Sequence, residues 1–441
     1  MQAYRQQHLF RLWQNYLAET PLPQADRWLS FQFKINKQFG KKDRQFYADL
    51  FFAGLRHALF AVYCLDVTAQ KVDLNTELMS WLSQYQDSQQ LWQRIRSASS
   101  AVFFSWIGCR INHDSARQGD QLVYETYQKI AERLNTAELS AAIVWHSLPG
   151  AFVPHFEQRR TRSWNHAQLK QFCQAQDHKP PLWLRVKQKT QLQTVLTDLA
   201  QHRLTVLTST ALQQTHALAV AGEKGIYELA CYKNGEIEIQ DLASQMIGDA
   251  ILCNTPKPMI LDACAGGGGK TMQIAAALNN VGAIYAIDLR AYKLDEIKRR
   301  AKKGGFHNIR TLSWDWSQTA LPEFPKEVAN AKGFDWILVD APCSSAGTWR
   351  RNPDAKWRFD INHLAELNRI QAIILRQAAR LLKPGGCIAY ATCSFLCAEN
   401  EVVIDAFLAE NPQYRLCSMR LLGAPEQDSD TMFVAVLQKL A

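Results

Sequence analysis

The sequence predicts an α/β protein. It should end in a Rossmann-like, doubly wound domain, preceded by a small α+β module and an N-terminal helical domain. Three observations carry this expectation. From Pro256 onward short apolar runs alternate with helix-length segments, as repeated βα units do. A glycine-rich turn, Cys264 to Thr271, lies between the first such run and the first helical segment. Before residue 146 the apolar spacing is that of helices alone.

Residues 1–145 read as the helical domain. Leu9, Leu12, Trp13 and Tyr16 recur at helical spacing, Phe46 to Arg56 continues an apolar face behind Asp43 as its N-cap, and Tyr124, Tyr127, Ile130 and Leu134 mark another amphipathic helix. Lys34, Lys37, Lys41, Lys42 and Arg44 are interleaved with Phe31, Phe33 and Phe39. The lysines suit phosphate contacts. The rings read as core aromatics, with stacking on bases as the alternative.

Residues 146–255 read as the α+β module, after a boundary near Leu148-Pro149-Gly150 and the polar stretch Arg159 to Arg162. Leu182 to Val186 should be a strand, Leu192 to Leu199 a helix, and Gly225 to Ile239 short strands around Lys233-Asn234-Gly235.

Residues 256–441 supply the doubly wound sheet. Strands are expected at Met259 to Ala263, Ala283 to Asp288, Ile309 to Leu312, Trp336 to Asp340 and Cys387 to Ala391, with helices at Lys270 to Leu278, Tyr292 to Lys303 and His363 to Leu382. Lys383-Pro384-Gly385-Gly386 should stop the last helix. Tyr414 to Leu422 and Met432 to Leu437 should close the sheet as an antiparallel hairpin.

Composition bounds the function. Hydrophobic residues at 47% and charged residues at 21% of 441 describe an ordinary globular chain. No apolar run is long enough to span a bilayer, and the first eight residues lack the apolar core of a signal peptide, so the expected location is cytoplasmic. The net charge of +9 is compatible with a polyanionic partner and with a merely basic enzyme. Eleven cysteines without paired metal spacing predict free thiols and no metal site. The sequence leaves the oligomeric state open, with a monomer favoured.

The turn Cys264-Ala265-Gly266-Gly267-Gly268-Gly269-Lys270-Thr271 is not a phosphate-binding P-loop, which needs glycine five residues before Gly269, where Cys264 stands. It suits a nucleotide-like ligand without a polyphosphate, and S-adenosylmethionine has that shape. Asp288 ends the second strand, where it can accept from two ribose hydroxyls, and Asp315 follows the third, within reach of an adenine amine. Taken singly, each is a turn residue as readily as a ligand.

Asp340-Ala341-Pro342-Cys343-Ser344 ends the fourth strand and Thr392-Cys393-Ser394 the fifth. Neighbouring strand ends would bring two thiols and a carboxylate to one crevice. Cytosine carbon 5 takes a methyl group only after a nucleophile adds at carbon 6, with an acid at ring nitrogen 3. A thiolate and Asp340 supply both. The residues themselves leave open which thiol attacks.

These motifs resemble the Sun/Fmu family of RNA (cytosine-5)-methyltransferases, whose bacterial members modify ribosomal RNA. The resemblance rests on Gln240 to Gln245, on Asp262-Ala263-Cys264 with Gly268 to Thr271, on Asp340 to Ser344 with Gly347, Arg350, Arg351 and Pro353, and on Thr392-Cys393-Ser394 with Glu399-Asn400-Glu401. It covers roughly residues 180 to 441. The first 145 residues resemble the NusB-like RNA-binding domain of some members.

The resemblance implies a class I methyltransferase domain that binds S-adenosylmethionine through Cys264, Ala265, Gly266, Gly267, Gly268, Gly269 and Lys270 and through Asp288, Asp315 and Asp340. It makes Cys393 the nucleophile and Cys343 the thiol that assists release. It also makes 146–255 an RNA-binding module and ribosomal RNA, 16S above all, the substrate. Gly266-Gly267 departs from the family's Ala-Pro, Lys293 from Arg, Gln188 from Asn, and Asp430 to Phe433 from Asp-Gly-Phe-Phe. A DNA (cytosine-5)-methyltransferase with Cys343 attacking, and a non-catalytic ribosome assembly factor, are the alternatives. Arg350, Arg351, Lys356 and Arg358, interleaved with Trp349 and Trp357, are candidates to clamp substrate phosphates, whereas Lys298 to Lys303 reads as a solvated helix face.

Overall fold

Seven strands build the sheet of the C-terminal region in a computed structural model that describes residues 2–112, 121–188, 191–208, 216–222, 225–251 and 255–440. Three strands precede it in the chain: β1 (Leu182–Val186), β2 (Ala217–Val220) and β3 (Ile237–Ile239). The seven are β4 (Met259–Asp262), β5 (Ala283–Asp288), β6 (Ile309–Ser313), β7 (Phe334–Asp340), β8 (Leu382–Thr392), β9 (Tyr414–Gly423) and β10 (Thr431–Lys439). Their order is β6-β5-β4-β7-β8-β10-β9, parallel from β6 to β8, with the β9/β10 hairpin antiparallel against β8. This is the expected Rossmann-like architecture with its closing hairpin.

Apolar residues fill both faces because successive side chains point to opposite sides. Leu261, Tyr285, Ile337, Val339 and Ile388 meet the helices Leu364–Ala379 and Glu401–Glu410. Ile260, Ile284, Leu338 and Ala389 meet Leu242–Asp249 and Gly269–Ala277. The order in which strands are added to the sheet reverses between β4 and β7, which are parallel neighbours. The crevice at the carboxyl ends of these two strands is therefore where such sheets hold ligands.

Two expectations fail locally. Lys383 to Gly386 does not stop a helix: Leu364–Ala379 has already ended, and the Pro-Gly-Gly stretch sits inside β8, where the pairing with β7 slips between Phe334 and Trp336. Between Gly225 and Ile239 the structure has one strand, β3, not several. Short helical turns at Ile226–Glu228 and Ala230–Lys233 occupy the rest, burying Ile226 and Cys231 under β1 and β2.

The chain divides into two compact units, one formed by 1–179 with Trp349–Asn362, the other by 180–348 with 363–441. The first is helical. Its expected helices run Gln2–Ala18, Lys41–Arg56 and Gln121–Leu134, and it continues past residue 145 through Val153–Arg162 and His166–Ala175, so Arg159 to Arg162 is helix here. Asp43 lies at the third helical position rather than capping the helix, and its carboxylate accepts from the Gly40 amide at 3.0 Å. Among the described residues no single helix is long and apolar enough to cross a membrane.

Two of the four cations expected to clamp phosphates after β7, Arg350 and Lys356, are built into this helical unit instead, while Arg351 is half-buried and Arg358 exposed. Arg350 Nε donates to the Ala175 carbonyl at 2.7 Å, Lys356 Nζ to the Arg56 carbonyl at 2.8 Å, and Trp357 Nε1 to the Leu55 carbonyl at 2.7 Å. All three side chains are buried, and Arg358 pairs with Asp354 at 2.8 Å. Buried cations that satisfy helix-end carbonyls are structural. Of the N-terminal cluster, Phe39 is core while Phe31 and Lys34, Lys37, Lys41 and Lys42 are exposed.

Candidate active site

The carboxyl ends of β4, β5, β7 and β8 converge as the motifs required. The Asp262 side chain turns inward and accepts from Thr271 Oγ1 at 2.7 Å, which fixes the helix Gly269–Ala277 to β4. Burial pushes the Asp262 carboxyl up to about 7. From that helix Lys270 reaches across to Asp340 Oδ2 at 2.7 Å. Burial works against the ammonium, but the Asp340 charge and hydrogen bond outweigh it and hold Lys270 above its ordinary value.

The two thiols meet. β7 and β8 pair in parallel with Asp340 opposite Ala391, so the segments that follow place Cys343 Sγ 3.3 Å from Cys393 Sγ. Cys393 Sγ also lies 3.4 Å from Ser345 Oγ. The hydrogen bond from Cys343 lowers Cys393, with Ser345 and the Lys270 charge adding to the effect against burial; the same bond and burial raise Cys343. One thiol is thereby biased toward thiolate and the other toward thiol.

The loops bearing these thiols are locked by a residue quoted in the sequence without a role. Glu399, fully buried, accepts from the Ser344 amide at 2.8 Å, from Ser344 Oγ at 2.6 Å and from Gln371 Nε2 at 3.1 Å. Asn400 likewise donates to the Ser394 carbonyl at 2.9 Å, and the Gly347 amide donates to the Cys393 carbonyl at 3.0 Å.

Beside the thiols opens a cavity of about 430 Å³. Cys264, Asp288, Asp315 and Asp340 line it together with Leu289, Trp314, Ile370 and Ile373. Asp288 Oδ2 accepts from the Gly266 amide at 3.0 Å, and Arg290 pairs with Oδ1 at 3.0 Å. Burial raises Asp288, yet the Arg290 and Gly266 hydrogen bonds prevail and lower it. Burial pushes the Cys264 thiol well up, which makes it a lining residue and not a nucleophile. Ala265 N–H bonds the Ile287 carbonyl at 2.8 Å, Gly267 turns its carbonyl toward Arg300, and Gly268 precedes the helix that Gly269 begins.

The apolar helix face from Ile370 to Ile374 was not foreseen, because its side chains come from a helix more than a hundred residues after the turn. A Cβ placed at Gly266 or Gly269 would meet nothing within 4 Å, whereas Gly268 packs against Ile297, and of the turn 264–270 Cys264 alone is among the residues lining the cavity. An amphipathic cavity of this size with acidic strand ends suits a nucleoside with an amino-acid tail. A larger cavity of about 610 Å³ lies in the helical unit, lined by Glu138, Trp145, Arg160 and Lys170, and contains none of these groups.

The sheet and its crevice define the chain's class as that of Rossmann-like methyltransferase folds. Residues 250–438 match the family model described as 16S rRNA methyltransferase RsmB/F, the Sun/Fmu family to which the motifs pointed. The chain is similar to the probable ribosomal RNA small subunit methyltransferase B of Synechocystis sp., 33% identical over 61% of this chain and 58% of that protein. It is also similar to the protein of the same description from Bacillus subtilis, 40% identical over 42% of this chain and 39% of that one. The matched length is thus less than two thirds of either relative. The fold is shared with the crystal structure of PH0851, at TM-score 0.66, 21% identity and coverage of 98% and 97% of the two chains.

Proposed function

We propose that this chain transfers a methyl group from S-adenosylmethionine to carbon 5 of a cytidine in ribosomal RNA, 16S RNA being the expected substrate, in the cytoplasm. The observation that carries the reading is the 3.3 Å approach of Cys343 and Cys393 beside the Lys270–Asp340 pair and the acidic cavity. The related 16S rRNA methyltransferases support the substrate class.

Cys264 to Lys270, Asp288 and Asp315 would hold the methyl donor, and Asp340 lines the same cavity. When bound, S-adenosylmethionine supplies an electrophilic methyl group. Cys393, biased toward thiolate, adds its sulfur to carbon 6 of the base, and the electron pair displaced from the ring double bond makes carbon 5 nucleophilic. Asp340 holds a proton at ring nitrogen 3, and Lys270 orients its carboxyl through Oδ2. Carbon 5, once substituted, gives its proton to a solvent water; the pair of that bond reforms the ring double bond as the bond to carbon 6 breaks and its electrons return to the Cys393 sulfur as thiolate. Cys343, kept as a thiol next to the departing sulfur, assists that release. The base must leave its stack for both faces to be enclosed. The helical unit and the three-stranded module serve as RNA-binding parts.

Incubation with methyl-labelled cofactor and ribosomal RNA is expected to place label on cytidine carbon 5; label elsewhere overturns the reading. Cys343→Ala should accumulate a covalent protein–RNA complex and Cys393→Ala should form none. The reverse pattern would reassign the attacking thiol.

A further inference from the structure

The turn at the cavity carries Gly266-Gly267 where the resembled family has Ala-Pro, and two residues without side chains leave the backbone more freedom. In this chain a restraint on the turn comes from outside it. Arg300, on the helix Ala291–Gly304, donates from Nη1 to the Gly267 carbonyl and from Nη2 to Glu238 Oε2 at 2.7 Å. Glu238 belongs to β3 of the three-stranded module, and the Arg300 and Glu238 side chains are 21% and 25% exposed, enough burial to keep the pair from being screened like a surface one.

Further contacts fasten the module to the same helix. Lys187 Nζ, just after β1, donates to the Gly304 carbonyl, and Lys303 Nζ sits 4.1 Å from the centre of the Tyr232 ring. The guanidinium is fixed at one end by a carboxylate and so presents a preoriented donor at the other. The turn's own bonds, Gly268 N–H to the Ala265 carbonyl at 2.9 Å and Gly266 N–H to Asp288, leave the Gly267 peptide to this external donor.

We propose that Arg300, anchored by Glu238, is a positioning residue that stands in for the missing proline. It holds the Gly266–Gly268 turn in its cofactor-binding form and makes the three-stranded module part of the cofactor site. The inference rests on the reading of the cavity as an S-adenosylmethionine site.

Amide exchange by mass spectrometry on the cofactor-free full chain and calorimetric titration with S-adenosylhomocysteine test it. Arg300→Ala should speed exchange in the 264–270 peptide several-fold and weaken binding about tenfold, the loss of one charge-assisted hydrogen bond. KM for the methyl donor should rise with kcat unchanged. Gly267 is not in the left-handed region, unlike Gly266 and Gly268, so no positive φ stands against Gly267→Pro. In the Arg300→Ala background it should restore both slow exchange and affinity. Glu238→Gln, a milder change should Arg300→Ala fail to fold, should shift both readouts in the same direction by a smaller factor.

Unchanged exchange and affinity in both single variants overturns the proposal. So does a defect in Arg300→Ala that Gly267→Pro leaves in place while Gly267→Pro alone binds normally. If the unaltered protein binds no S-adenosylhomocysteine, the cofactor reading falls, and the exchange measurement still judges the brace.

Discussion

Replacing Cys343 with alanine should make Cys393 a poorer nucleophile before any RNA is present. The Cys343 hydrogen bond is the largest effect on the Cys393 thiol and lowers it; burial opposes, and Ser345 and Lys270 lend weaker support. Hydrogen bonds to charged groups contribute about 1.5–3 kcal/mol, and a sulfur-to-sulfur bond belongs at the lower end. A difference of about 1.4 kcal/mol is a factor of ten, so removing the donor should raise the Cys393 thiol and slow its thiolate chemistry near neutral pH roughly tenfold. The assay is the rate of iodoacetamide labelling at the Cys393 peptide, followed by mass spectrometry across pH in protein alone. Cys343→Ala should move the midpoint upward, and Cys343→Ser, which keeps a donor, should move it less. A midpoint that stays in place or falls refutes the polarised thiol pair.

Other perturbations act on the frame. Glu399→Ala leaves the Ser344 amide, the Ser344 hydroxyl and Gln371 without their buried acceptor and should cost about 3–5 kcal/mol in urea unfolding, with Glu399→Gln costing less. Gly347→Ala would put a Cβ 1.7 Å from the Thr431 carbonyl oxygen, and the forced backbone shift should cost at least about 1–3 kcal/mol by the same measurement. Asp262, raised from 3.8 to about 7 by burial, binds its proton more tightly folded than unfolded, so its contribution to stability is present at low pH and lost as pH rises from about 4 to about 7. Asp262→Asn, which keeps an acceptor for Thr271, should flatten that slope and stabilise the protein at pH 8 by at most about 4 kcal/mol, measured by unfolding across pH.

The site was legible wherever chemistry and chain direction coincide. Asp288, Asp340, Cys343 and Cys393 all follow strands whose apolar runs are unmistakable, and a doubly wound sheet has only one end at which such residues can gather. The side chains that hold them were not legible. Glu399 and Gln371 are 28 residues apart and meet only because the helix Leu364–Ala379 covers the same face of the sheet as the turn containing Glu399. No local period records that encounter. Arg300 sits in a basic run that reads as solvated, and its pairing with Glu238 depends on how a separate three-stranded module packs against the helix.

The arginines and lysine after β7 show the limit of charge as a guide. Spacing placed Arg350, Lys356 and Arg358 just beyond the catalytic strand, and alternating tryptophans made the stretch look like a surface for phosphates and bases. Yet a tryptophan beside a cation serves equally to bury the cation's aliphatic stem, and helix ends offer carbonyls that need donors. The fully buried Lys356 ammonium is pushed well below its ordinary value by the loss of water, and the Arg56 carbonyl accepts its bond at 2.8 Å. A cation buried in this way is out of reach of a phosphate in solution. The exposed Lys34, Lys37, Lys41 and Lys42, and Arg358 after β7, keep their charges where a phosphate in solution can reach them.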